Sequence, residues 1–308
     1  MASTLGTTTT PPIAPVAPEG TTTRGRRAGP YPYWFYIPAA AIYTVLFLVP
    51  TISGWYYSFT RWDLFSSTWI GLKNYQTFFA EQALVIGLRN TLIYATMTSS
   101  LKVVIGMLLA VLLTAKIVAR GYLRSVIFFP VLVSTIGVGM TFTVLMDPEK
   151  GLINKALGVI GITGPDWLVN PKIAIFSIGL VDVWQGVGLA TVIFIAGIVS
   201  IPSDYYEAAE VDGAGTVKRF TAVTLPGVRP TTTLVVIAAT ITGANFFTEP
   251  YLLTGRGGPA GASVSPVLLM YTQGIEQGHA GYAAAIGVLL AIGVIAVSLV
   301  NRYLLERS

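Results

Sequence analysis

Six apolar runs, each about as long as a bilayer is thick, decide what this chain can fold into. A helix needs roughly 17–25 predominantly apolar residues to cross the hydrocarbon core. The runs at 35–57, 91–115, 125–146, 173–200, 231–247 and 282–304 meet that length. Lipid supplies no hydrogen-bond partners, so a spanning segment must pair its backbone internally, as a helix does. The expected fold is an all-α polytopic membrane protein with six transmembrane helices, in one transmembrane domain over 31–308. Composition agrees: 11% of residues are charged, against about 25% in a soluble domain.

Aromatic residues mark membrane interfaces. The first run carries Tyr31, Tyr33, Trp34 and Tyr36 at one end and Trp55, Tyr56, Tyr57 and Trp62 at the other. Residues 1–30 are rich in Thr, Pro, Ala and Gly and close on Arg24, Arg26 and Arg27. No apolar stretch precedes those arginines, so the segment is not a signal peptide; a disordered tail is expected.

Lys and Arg concentrate in cytoplasmic loops. With the N-terminus inside, the inner segments hold Arg24, Arg26, Arg27, Lys116, Arg120, Arg124, Lys218, Arg219, Arg229, Arg302 and Arg307. The outer loops hold Arg61, Lys73, Arg89, Lys150, Lys155, Lys172 and Arg256. Eleven against seven, with Lys102 inside a span, places both termini and the 201–230 loop in the cytoplasm. The net charge of +5 follows from this bias; no basic cluster interleaved with aromatics points to nucleic acid. With no cysteine and a single histidine, His279, a disulfide framework, a thiol nucleophile and a multi-histidine metal site are excluded. His279 reads as an exposed loop residue.

The 201–230 loop is polar and carries helix punctuation. Pro202 stops the fourth run; Ser203 or Asp204 can serve as N-cap, and Asp204 with Glu207 has capping-box spacing. A short helix is expected over 205–212, ended by Gly213 in a left-handed conformation. A second is expected over 216–225, broken by Pro226 and Pro230. Helices this short need packing, against the bundle or a partner; a connection that merely caps the bundle is the alternative.

Glu-Ala-Ala-x-x-Asp-Gly-Ala at 207–214, with Phe220 and Leu225-Pro226 following, resembles the EAA loop of ABC-importer permeases, in particular the maltose-type (MalF-like) sugar branch. Asn74-Tyr75, Arg89-Asn90-Thr91, Arg124 through Pro130, Trp184, Ile201-Pro202 and the 253–259 segment are similar to that family too, so the resemblance covers roughly 34–305. The Thr/Pro-rich leader is similar to that of actinobacterial trehalose permeases. The resemblance implies a type I importer (MetI-like) architecture. It also implies a coupling helix seated in an ATPase, carried by Tyr206, Glu207, Ala208, Ala209, Asp212, Gly213 and Ala214. Implied partners are a second related permease, two ABC ATPase subunits or domains and an extracytoplasmic sugar-binding protein, all at the plasma membrane. No Gly-x-x-x-x-Gly-Lys-Ser/Thr occurs, so the chain has no phosphate cradle of its own. ATP and Mg are expected in the partner ATPase, no cofactor in this chain, and the chain is not itself an enzyme. The glycines at 255–258 read as a loop turn.

Charged residues within spans are costly and face a partner or a cavity. Lys102 and Asp182 are either a buried pair or separate linings of a polar passage. Aromatic faces mixed with amide and carboxylate groups suit a sugar. Trp184, Gln185, Asn245, Phe246, Phe247, Glu249 and Tyr251 are the candidate substrate path; packing or interface roles are the bland alternative. The expected cargo is a disaccharide such as trehalose or maltose. A self-contained secondary transporter or channel is the competing function, and it would be expected to show inverted repeats or several acidic residues within spans. A membrane scaffold without transport activity is a third reading, and co-purification with an ATPase separates the three.

Overall fold

The computed structural model describes residues 33–115 and 117–307. The tail expected at 1–30 and Lys116 lie outside the described residues. The chain divides into two units, one ending at Val49 and one beginning at Pro50. The described part of the first is helical and includes a π-helical turn at Thr44–Leu48; helix α1, Trp34–Tyr57, is the first span.

In the second unit a short antiparallel hairpin, β1 Thr60–Trp62 and β2 Ser67–Trp69, pairs Thr60 with Trp69 and Trp62 with Ser67. Then follow α2 Lys73–Ala80, α3 Gln82–Thr114, α4 Arg120–Leu132, α5 Thr135–Leu145, α6 Leu152–Val159 and α7 Ala174–Val199. Helices α8 Ser203–Val211 and α9 Thr216–Arg219 form the polar hairpin. Helices α10 Arg229–Ala244, α11 Thr248–Leu252, α12 Pro266–Tyr271 and α13 Ala280–Arg307 complete the chain. The most extensive packing is between α3 and α7. It is close because small residues face each other: a Cβ on Gly106 would lie 3.0 Å from that of Ala190. Small residues at such contacts let helices approach within a membrane.

Among the described residues, five helical segments are long and apolar enough to cross a membrane, near the expected positions of runs one, two, four, five and six. Run three departs from expectation: α4 and α5 are separate helices bent by 94°. Pro130 lies inside α4, and the break comes after Leu132, where Val133 and Ser134 are extended, with ψ of 138° and 128°. Run two is longer than expected, starting at Gln82. Its added turns bury Leu84, Gly87 and Asn90, and a Cβ on Gly87 would meet Pro266 at 3.4 Å. Run five breaks at 245–247 and resumes as α11, so Glu249 belongs to the same apolar segment, Arg229–Leu252.

The hairpin also departs in two details. Pro202, not Ser203 or Asp204, occupies the N-cap, with no side-chain cap; Asp204 and Glu207 fall within the helix, so no capping box forms. Pro226 does not break the second arm. An α-helical register would set its ring against the Ala222 carbonyl. A π turn at Phe220–Thr224 shifts the register just before it, with Leu225 N–H donating to Phe220 O. The path continues through Leu225–Gly227. Pro230 sits in the first turn of α10, where no N–H is needed.

Candidate functional site

The polar hairpin is braced against the bundle and leaves part of α8 exposed. Helix α8 ends in a Schellman motif: Gly213 N–H donates to Glu210 O at 3.0 Å, and Ala214 N–H to Ala209 O at 2.9 Å. Gly213 has φ +71°, the left-handed conformation the sequence assigns to it. Tyr206 is half-buried, and its hydroxyl pairs with Thr224 Oγ1 at 3.0 Å. Arg219 Nη1 meets Glu210 Oε2 at 3.2 Å across the two arms. Ile201 and Phe220 pack on a core cluster of Met107, Ala110, Phe194, Val228 and Val235. The hairpin is thereby fixed to α3, α7 and α10. Glu207, Ala208, Asp212 and Gly213 stay exposed, Ala209 is half-buried and Ala214 buried. Tyr205 and Val211 are apolar and face outward, Val211 at 88% exposure. A groove of about 420 Å³ runs beside α8, between Ile201, Pro202 and Tyr205 on one side and Ala222, Val223 and Pro226 on the other.

Deeper in the bundle, Lys102 Nζ and Asp182 Oδ2 pair at 2.8 Å. The buried-pair reading of these two residues is therefore the one the fold realises. Gly186 makes the room: a Cβ there would lie 2.8 Å from Lys102 Cε.

The candidate path residues divide by position. Gln185 Nε2 donates to Val133 O at 3.1 Å and to Thr135 Oγ1 at 3.3 Å, so its amide donors hold the α4–α5 bend. Trp184 is exposed, its ring tilted 5.3 Å from Phe142. Phe246 is buried and stacks on Tyr94 at 4.0 Å. Asn245 closes α10, donating to Ile241 O at 2.8 Å. Glu249 is half-buried, within electrostatic reach of Asp182 and Lys102. Phe247 and Tyr251 stack at 5.3 Å and are joined by Tyr271 of α12, at 5.2 and 5.6 Å. Tyr271 was not among the sequence candidates. It lies in a six-residue helix too short for periodicity to single out, and its spacing from Phe247 gives no local signal.

The remaining sequence features build braces. Asn74 Nδ2 donates to Ser58 O and Thr60 O, both at 2.9 Å, fixing the β-hairpin to the end of α1. Asn90 Nδ2 donates to Gly261 O and Val264 O, holding the loop whose residues 255–258 all have positive φ. These glycines form a turn, as expected. Arg124 Nη2 donates to Leu113 O at 3.2 Å, satisfying a carbonyl at the end of α3 where a cation also complements the helix dipole. His279 is exposed, its Nδ1 3.0 Å from Gln273 Oε1.

A family model described as the binding-protein-dependent transport system inner membrane component matches residues 102–308. The arabinooligosaccharides transport system permease protein AraP of Bacillus subtilis (strain 168) is 34% identical, over 88% of this chain and 87% of that protein. The trehalose/maltose transport system permease protein MalF of Thermococcus litoralis is 30% identical, over 87% and 91%. The fold is similar to that of a solved bacterial ABC transporter involved in alginate import, with a TM-score of 0.74 and 19% identity, covering 89% of this chain and 94% of that one. The chain belongs to the family of binding-protein-dependent transport system inner membrane components, the permeases of ABC importers.

Proposed function

We propose that this chain is one of two permease subunits of an ATP-driven importer for an oligosaccharide, with a disaccharide such as trehalose or maltose as cargo. One observation carries the reading. A short helix closed by Gly213 and clamped to the bundle at Ile201, Tyr206 and Phe220 turns Glu207, Ala208 and Asp212 outward. A rigid helix held this way can transmit closure of a docked ATPase pair to the spans as a rigid-body movement. Small side chains on its outer face permit close approach. Nucleotide and Mg sit in the separate ATPases, and a binding protein delivers the sugar to the opposite face. The two termini and α8 lie in the cytoplasm. Trp184, Gln185, Asn245, Phe246, Phe247, Glu249 and Tyr251 line or support the path. Relatives named for arabinooligosaccharides and for trehalose/maltose support an oligosaccharide cargo.

The test is reconstitution with the ATPase, the second permease and the binding protein. Alanine replacement of Glu207 and Gly213 is expected to weaken ATPase retention and uncouple hydrolysis from uptake. Retention and uptake both at the wild-type level would remove the coupling role. The sugar recovered with the binding protein identifies the cargo.

A further inference from the structure

Two apolar runs are interrupted, one at the α4–α5 bend and one at the 245–247 break before α11. Both interruptions border one small cavity of about 10 Å³. Thr135, Gln185, Thr248 and Glu249 give it polar walls, and the buried Val138 and Leu253 help to seal it. Elsewhere α5 and α11 touch: a Cβ on Gly139 would lie 3.0 Å from Leu252 Cδ1. The cavity is thus a hole in dense packing. Apolar holes of this kind stay dry, but one water needs only roughly 10–15 Å³ and two to four polar partners.

The polar walls suit a water. Gln185 uses its amide protons on Val133 O and Thr135 Oγ1, which leaves its Oε1 as an acceptor. Glu249 is half-buried, and the cation within its electrostatic reach, Lys102, is held by Asp182 at 2.8 Å. Its carboxylate is a second acceptor, and the Thr248 hydroxyl can donate. Two acceptors and a donor are the complement of one water molecule. In a membrane span bulk solvent does not serve such groups, so leaving them unpaired is costly.

We propose that this cavity holds one ordered water, which donates to Glu249 and to Gln185 Oε1, accepts from Thr248, and so ties α11 to the α4–α5 bend. Gln185 is the shared member. Its nitrogen holds the bend directly, and its oxygen reaches α11 through the water. A displacement of α11 at its break then reaches the bend through side chains rather than along the backbone.

The experiment is a cryo-EM map of the complete importer in nanodiscs, at a resolution that shows ordered water, paired with hydrogen exchange on the same complex. One solvent peak is expected within hydrogen-bond distance of both Glu249 and Gln185 Oε1. It should persist in Glu249→Gln, whose amide oxygen still accepts, and vanish in Glu249→Met. Exchange at 133–138 is expected to rise about tenfold in Glu249→Met, on the scale of one hydrogen bond, and to keep the wild-type rate in Glu249→Gln. Adding Glu249→Met to Gln185→Leu should raise it less than about twofold further, because the link runs through Gln185. A merely structural role for Glu249 would raise exchange equally in both backgrounds, and that result overturns the link. So does wild-type exchange at 133–138 in Glu249→Met. A wild-type map without the peak, both side chains being resolved, overturns the site whether or not Glu249→Met assembles. A peak ringed by oxygens at roughly 2.3–2.6 Å is a cation and overturns the water.

Discussion

Lys102 and Asp182 meet at 2.8 Å across the α3–α7 contact, with side chains only 6% and 12% exposed. Within a membrane span neither charge is stable without the other. Removing one partner is expected to be far worse than removing both, because it leaves an uncompensated buried charge. Lys102→Met or Asp182→Asn should each cost about 3–5 kcal/mol, and Lys102→Met with Asp182→Leu should recover most of it. Thermal unfolding of the purified chain in detergent reads the difference. Single and double variants of equal stability would show that the pair is not coupled.

The Gly213 φ of +71° makes a backbone prediction free of packing effects, since a Cβ there meets nothing within 4 Å. Gly213→Ala is expected to cost about 1–2 kcal/mol through the left-handed conformation alone, loosening the end of α8. Gly213→Asn, which tolerates that region, should cost less. Hydrogen exchange across 203–214 measures both, and an alanine variant with unchanged protection would contradict the argument.

Gln185→Leu removes both hydrogen bonds that hold the α4–α5 bend while keeping most of the volume. A buried carbonyl left without its partner costs about 1–3 kcal/mol. The expected result is a lower melting temperature together with faster exchange at 133–138, and not at α8. Uniform loosening of the whole bundle would mean that Gln185 acts through general packing instead.

At the β-hairpin tip, Ser66 N–H and Phe65 N–H donate to the Asp63 carboxylate at 2.6 and 3.0 Å. The Ser66 backbone bond, then that of Phe65, hold its pKa below the usual carboxylate value. A depressed folded pKa contributes order above the ordinary carboxylate range and loses it as the pH falls through the folded value. Exchange at 63–66, corrected for the intrinsic rate, is therefore expected to rise only in strong acid. Asp63→Asn should remove most of that pH dependence. A transition near neutral pH would assign it to another group.

The sequence alone determined what depends on local length and local backbone chemistry. Apolar runs of bilayer length located the spanning helices at runs one, two, four, five and six, because lipid leaves the backbone no other way to pair. Gly213 fixed the end of α8, because only a residue tolerant of positive φ suits that turn. The EAA residues fixed the family, and their local spacing survives whatever the bundle does. Tertiary structure decided the rest. The α4–α5 bend is held by an amide 52 positions away, which pairs with the Val133 carbonyl. The Lys102–Asp182 choice was settled by helix packing that joins residues 80 apart. The same holds for Tyr271, which faces Phe247 and Tyr251 only after the break at 245–247 and the braced 255–265 loop bring α11 and α12 together. Such partners come from distant sequence, and no local pattern encodes which carbonyl, charge or ring they will meet.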